Sequence, residues 1–336
     1  MERVAENLNR ALHEAFDREP NLYLIGEDIV DPNGGAFKVT RGLSSRHPDR
    51  VIATPISEGA LVGVANGLAL SGDKAIAEIM FSDFVTLAFD QIVNFAAKSV
   101  SMYGRRVPMH LVVRCPTGGG RGYGPTHSQS LQKHFIGVPQ LSVHEISPFH
   151  DNGALLTDLL DRGEPAVLFE DKVLYGRRMY RDGVVDDLFG FDFLDPAAGT
   201  ARAFVRDDAD SCDCLVIAPG GVAERALAAA RSLFLEEELS CQVVVPTQLY
   251  PFDVEPLVPL LERAGQICVV EDSSAGGTWG GEVAMRIYDR LWGRLTSRIR
   301  LVSAADSIIP TAPHLERLVL PQAENIHRQI LEDSRA

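Results

Sequence analysis

Short apolar runs alternate with segments of helical spacing along nearly the whole chain, and few folds can satisfy that alternation. Residues 2–17 carry apolar or small side chains at 4, 8, 11, 12 and 16, the spacing of a helix. Asn21-Leu22-Tyr23-Leu24-Ile25-Gly26-Glu27-Asp28 then reads as a buried strand running into an acidic turn. Residues 31–36 are a loop by their turn chemistry. Val51-Ile52-Ala53 is a short strand, and a Pro-bearing turn leads from it into a helix that opens with Glu58. Strands are further expected at 75–81, 107–114, 141–146 and 166–170, with helices at about 84–102 and 150–161. A second αβ unit starts with the strand 214–218 and the alanine-rich helix 222–235. Strands at 243–245, 267–270 and 300–302 and helices at about 282–292 and 313–334 follow. Strands and helices in this order imply an α/β fold whose parallel sheets are covered by helices on both faces.

At 336 residues the chain suits two domains of ordinary size. Residues 176–212 are rich in Arg, Asp and Gly and hold no sustained period. The expected division is therefore a first domain over 1–180, a linker with some short strands over 181–212, and a second domain over 213–336.

The net charge of -14 argues against nucleic acid or an anionic membrane as partner, since both require positive surface. No apolar run approaches the length of a membrane span. The segment Met1-Glu2-Arg3-Val4-Ala5-Glu6 is charged and lacks an apolar signal core, so the chain reads as cytoplasmic. Cysteines stand at 115, 212, 214, 241 and 268, irregularly spaced and with no CxxC pair. Free thiols are expected, and a zinc site is disfavoured.

In open parallel sheets, ligands sit beyond the carboxyl ends of the strands. Glu58, Phe81, Phe84, the glycine loop at 118–124 and His127 all fall just after expected strands. Each also has a plain structural reading. Glu58 suits a helix N-terminus through the dipole alone. A histidine beside a glycine loop is commonly structural. Gly59, Gly63 and Gly67 recur every four residues and form a bare helical stripe, which fits packing within the chain as well as between chains. A GxGxxG turn after a strand, a P-loop lysine motif, HExxH and a Gly-x-Ser-x-Gly elbow are all absent.

Several short motifs occur in a specific order. They are Gly26-Glu27-Asp28, Gly34-Gly35-Ala36-Phe37-Lys38-Val39-Thr40, Thr54-Pro55-Ile56-Ser57-Glu58 and Glu78-Ile79-Met80-Phe81-Ser82-Asp83-Phe84. Asp90-Gln91-Ile92, Asn94, Ala96-Ala97-Lys98 and His127-Ser128-Gln129-Ser130 come next. Phe169-Glu170, Leu174-Tyr175-Gly176, Pro251-Phe252-Asp253 and Val270-Glu271 complete the series. Together they resemble the β subunit of the thiamine-diphosphate-dependent 2-oxo acid dehydrogenase first component. That is the pyruvate, branched-chain and acetoin dehydrogenase group of the transketolase-like superfamily, and the resemblance covers nearly the whole chain.

The resemblance implies a pyrimidine-binding domain followed by a transketolase C-terminal-type domain. It implies that Glu58 hydrogen-bonds a ring nitrogen of the cofactor's aminopyrimidine and favours the imino tautomer, which deprotonates the thiazolium carbon. The resulting ylid is the cofactor's nucleophile and electron sink. Met80 and Phe84 match positions that pack around the pyrimidine. His127 matches the histidine that handles protons on the bound intermediate or aids acyl transfer to lipoyl.

Relatives hold the diphosphate and Mg²⁺ with a Gly-Asp-Gly…Asn segment. Here Gly72-Asp73-Lys74 is the nearest match and lacks the second glycine. The chain thus carries the pyrimidine half alone, and an α subunit is expected to hold Mg²⁺ and the diphosphate in an α2β2 assembly. In some relatives, backbone carbonyls after the strand near Leu111 and around Leu159–Asp161 bind K⁺. Carbonyl ligands leave no mark on side chains.

Two departures bear on the substrate. Gly124-Pro125-Thr126 replaces the residues usual before the histidine, after an unusually glycine-rich loop. Thr247-Gln248 stands where relatives have Leu-Arg. The first reading is oxidative decarboxylation with acyl transfer to a lipoyl acyltransferase. The alternatives are two-carbon transfer from a ketose phosphate or 2-oxo acid to an acyl carrier protein thiol, and a non-catalytic β-like subunit.

Overall fold

The computed structural model describes residues 2–195 and 199–334, which divide into two compact units. The first unit comprises the residues up to Thr117 together with His134–Met179. Its elements are α1 (Val4–Arg18), β1 (Leu22–Gly26), α2 (Leu43–Arg46), β2 (Val51–Ala53), α3 (Glu58–Leu70) and β3 (Lys74–Glu78). Then come α4 (Ala97–Ser99), β4 (Leu111–Thr117), β5 (Ser142–Glu145), α5 (Asn152–Asp161) and β6 (Ala166–Asp171). The strands lie in the order β5-β6-β4-β3-β1-β2, all parallel.

The pleat sends alternate side chains to opposite faces. Leu22 and Leu24 of β1, Ile76 of β3, Val112 of β4 and Leu168 of β6 share one core with Leu8, Leu12 and Phe16 of α1 and Leu156, Leu159 and Leu160 of α5. Burying each of these large side chains contributes about 2 kcal/mol. On the other face α3 packs on β1, β3 and β4 through Leu61, Val62, Ala65 and Ala69. The connections after β1 and β3 run to opposite sides, so the carboxyl ends of these neighbours form a topological switch point. The backbones approach closely there. A Cβ on Gly26 would meet the Glu78 carbonyl oxygen at 2.8 Å, so only glycine fits.

The single helix expected over 84–102 is instead a 3₁₀ turn (Ser82–Ala88), a π-helical turn (Gln91–Ala96) and the brief α4. The Asn66 amide donates to the Gln91 carbonyl at 2.9 Å and competes for an oxygen the regular ladder would use. Inserted side chains of this kind disturb helices locally. The glycine stripe of α3 serves this packing at two positions. A Cβ on Gly59 would lie 3.2 Å from the Leu87 oxygen, and one on Gly63 would lie 3.4 Å from Gln91 Oε1, whereas Gly67 meets nothing within 4 Å.

The second unit comprises Gly118–Lys133 and the residues from Tyr180 onward. Its strands and helices are β7 (Phe189–Asp195), β8 (Thr200–Val205), β9 (Cys214–Ile217), α6 (Gly220–Glu237), β10 (Cys241–Pro246), β11 (Gln248–Tyr250) and α7 (Val258–Leu261). They continue with β12 (Gln266–Ser274), α8 (Trp279–Leu291), β13 (Ile299–Ala304), α9 (Pro313–Val319) and α10 (Ala323–Ser334). The sheet order is β13-β12-β9-β10-β8-β7. The first four strands are parallel, and β8 and β7 add antiparallel to the edge. Residues 181–212, expected as a linker with some short strands, contain two strands of this sheet, β7 and β8.

The helix expected over 313–334 is broken at Leu320, which is extended before Pro321 as pre-proline residues prefer. All five cysteines are buried free thiols. Among the described residues, no group of three or more His, Cys, Asp or Glu side chains could hold a metal ion, and no helix is long and apolar enough to cross a membrane.

Candidate active site

Beyond the carboxyl ends of β1, β2 and β3, local sequence sets two carboxylates. Thr54 N–H donates to the Gly26 carbonyl at 3.0 Å, which extends the strand pairing before the chain turns into α3. Ser57 precedes the helix but makes no side-chain cap. Its N–H instead donates to Glu27 Oε1 at 3.1 Å. Glu58 follows, 4% exposed, as the first helical residue, where the dipole favours a negative charge. Glu27 is 5% exposed. Burial holds the Glu27 carboxyl above its ordinary range, the Glu58 charge adds to this, and the Ser57 N–H opposes it. Among the described residues, no group hydrogen-bonds the Glu58 carboxylate. A buried acid without an internal donor has the right chemistry to share a proton with a ring nitrogen supplied from outside.

Met80 and Phe84, both half-buried, follow β3 on the same edge. Phe84 meets Phe81 edge-on at 6.4 Å, Phe81 meets Phe37 edge-on at 6.0 Å, and Phe37 stacks on Tyr175 at 4.8 Å. Ser82 Oγ donates to Thr117 Oγ1 at 3.0 Å and ties the 3₁₀ turn to the end of β4. Behind this wall lies a buried charged network. The Arg114 guanidinium grips Glu170 bidentately at 2.7 and 2.5 Å and also donates to Glu78, while Tyr175 OH donates to Glu170 at 2.8 Å.

Glu27, Glu78, Glu170 and Tyr175 stand in the motifs that carry the resemblance, but sequence reasoning gave them no role and did not single out Arg114. A signal existed for the network: an arginine ending the apolar run Leu111-Val112-Val113 cannot be buried without an acid beside it.

His127 belongs to the second unit, whereas Glu58, Met80 and Phe84 belong to the first. It is half-buried, its Nδ1 lies 3.0 Å from Thr126 Oγ1, and its N–H donates to the Gly124 carbonyl at 3.3 Å. In the same unit, Gln248 donates to the Pro251 carbonyl at 2.9 Å, and Thr247 Oγ1 donates to the Gly199 carbonyl at 3.0 Å.

The Gly72-Asp73-Lys74 turn leads into the amino end of β3, on the opposite edge of the sheet from Glu58. Lys74 there is paired with Asp161 at 2.6 Å and Glu19 at 3.1 Å. In the segment expected to offer carbonyls to K⁺, the Leu160 oxygen accepts from His110 Nδ1 at 2.7 Å.

The transketolase pyrimidine-binding domain family matches residues 3–177, and the transketolase C-terminal domain family matches 204–326. The acetoin:2,6-dichlorophenolindophenol oxidoreductase subunit beta of Cupriavidus necator is 32% identical over 95% of this chain and 93% of its own length. The pyruvate dehydrogenase E1 component subunit beta of Leifsonia xyli is also 32% identical, over 96% of this chain and 92% of its own. The chain belongs to this family of transketolase-like 2-oxo acid dehydrogenase β subunits.

A solved split-gene transketolase shares the fold with this β subunit at a TM-score of 0.71 and 19% identity, covering 97% of this chain and 96% of that one. As a β subunit of the family, the chain has its two αβ units in the expected order, pyrimidine-binding first.

Proposed function

We propose that this β subunit works with an α subunit, as an α2β2 enzyme, to decarboxylate a 2-oxo acid and pass the acyl group to a lipoyl domain. The observation that carries the reading is Glu58, buried at the start of α3 with no donor from the described residues. When bound, thiamine diphosphate supplies the carbon nucleophile and the electron sink that decarboxylation needs. Glu58 holds the proton shared with a ring nitrogen of the aminopyrimidine, a general acid–base task. Met80 and Phe84 pack against that ring and exclude water. His127 moves a proton at the substrate-derived oxygen or assists the acyl transfer. The α subunit holds Mg²⁺ and the diphosphate, because Gly72-Asp73-Lys74 lies at the wrong edge of the sheet and its lysine is already paired.

The test is reconstitution with an α-like subunit, thiamine diphosphate and Mg²⁺, followed by a 2-oxo acid screen with dichlorophenolindophenol as electron acceptor. Turnover that needs both subunits, with acyl loading of a lipoyl domain, is expected. Turnover by the β subunit alone, or loading of an acyl carrier protein in place of the lipoyl domain, overturns the reading.

A further inference from the structure

The segment Gly118–Lys133 leaves the first unit after Thr117 and rejoins it at His134, yet it packs as part of the second unit. Both of its ends are fastened there. Glu316 of α9 is 3% exposed. Its Oε1 accepts the Gly120 N–H at 2.8 Å, and its Oε2 accepts the Gly122 N–H at 3.1 Å. At the far end, Lys133 Nζ donates to the Ser274 carbonyl at 2.9 Å, to Ser274 Oγ at 3.0 Å and to the Gly276 carbonyl at 3.0 Å.

The glycines make the first fastening possible. Gly118, Gly120, Gly122 and Gly124 all have positive φ, so every second residue is left-handed. Chains that alternate in this way turn successive N–H groups toward one side and form a concavity for an anion. The fit is close on the facing side as well. A Cβ on Gly119 would lie 2.6 Å from Leu320 Cδ1, and one on Gly124 would lie 2.6 Å from Thr311 Oγ1. Gly124 in turn accepts the His127 N–H, so the seated loop runs directly into the histidine.

We propose that Glu316 is a positioning residue: it binds the glycine strap through two backbone N–H groups and, with Lys133 at the other end, sets the place of His127. A side chain 196 residues from Gly120 thereby controls the histidine. The fastening stands on contacts within the second unit, while its effect on turnover rests on the function proposed above for His127.

The experiment uses the reconstituted complex with Glu316→Ala, Glu316→Gln and Gly124→Ala. Gly124→Ala pushes a methyl group against Thr311, just before the N-cap of α9, and keeps Glu316 itself, so it displaces the strap without removing the acceptor. Trypsin cleavage after the exposed Arg121, followed by mass spectrometry, reads the strap without any need for activity. Cleavage at Arg121 is expected to rise roughly tenfold or more in Glu316→Ala and Gly124→Ala, and less in Glu316→Gln, because cleavage tracks the population of the opened strap. The same variants are expected to lower kcat with cofactor affinity retained, and the loss is expected to vanish in a His127→Ala background, as for residues acting through one another. Wild-type cleavage at Arg121, or a kcat loss that simply multiplies with that of His127→Ala, overturns the proposal. Failure of the functional reading shows separately, as absent 2-oxo acid turnover in the wild-type complex.

Discussion

The Glu27 carboxylate accepts the backbone N–H of Ser57 at 3.1 Å, one residue before Glu58 opens α3. Two buried acids thus meet at the same turn, one spent on holding the backbone and one left with its acceptor capacity intact.

Glu27→Ala leaves the Ser57 N–H without an acceptor and is expected to destabilise the fold by about 1–3 kcal/mol. Glu27→Gln keeps an acceptor and removes a charge that burial and Glu58 disfavour. A carboxyl whose folded pKa is raised stabilises fully below its ordinary value of 4.5, and that contribution is lost as pH rises through the folded pKa. Glu27→Gln is therefore expected to gain on the wild type as pH rises above 4.5, and urea unfolding across a pH series measures the gap.

Arg114 neutralises Glu78 and Glu170 in a site from which water is excluded. Arg114→Met strands two buried carboxylates and is expected to cost about 3–5 kcal/mol. Arg114→Lys keeps the charge but cannot reproduce the fork on Glu170, so an intermediate loss is expected. Denaturant midpoints of the three proteins check the order.

His144 on β5 is 1% exposed, and neither ring nitrogen has a hydrogen-bond partner among the described residues. Burial, with a smaller push from Arg162, lowers its pKa from 6.5 to about 3. The folded state then binds fewer protons than the unfolded chain below pH 6.5. The neutral ring contributes fully above that pH, and the contribution is lost as pH falls toward 3. The limiting slope for one such group is about 1.4 kcal/mol per pH unit. His144→Leu is expected to flatten the decline in stability between pH 6.5 and 4, which thermal unfolding in a buffer series measures.

That Glu58 and Phe84 share one edge was legible in the sequence because they come soon after β2 and β3, and a parallel sheet sends all its carboxyl ends to one edge, whereas Met80 was pointed to by the family resemblance alone. The seat of the histidine loop was not legible. Its fastenings to Glu316 and Ser274 join residues 141 to 196 positions apart, and no local pattern encodes such a pair. Strands β7 and β8 were hidden for another reason. Their buried face is short, carried by Phe189, Phe191, Ala201, Ala203 and Val205, and Asp192 and Arg202 pair across the other face and dilute the alternation. The irregular turns over Ser82–Ser99 arise where Asn66 of α3 reaches the Gln91 carbonyl, a tertiary contact overriding a sound helical period.

The most direct test of the account is hydrogen–deuterium exchange at the reactive thiazolium carbon of thiamine diphosphate bound to the reconstituted complex, comparing Glu58→Gln with the wild type. The glutamine keeps the shape and loses the shared proton, so exchange is expected to slow about 10²–10⁴-fold with the cofactor still bound. Exchange at the wild-type rate in that variant would contradict the role assigned to Glu58.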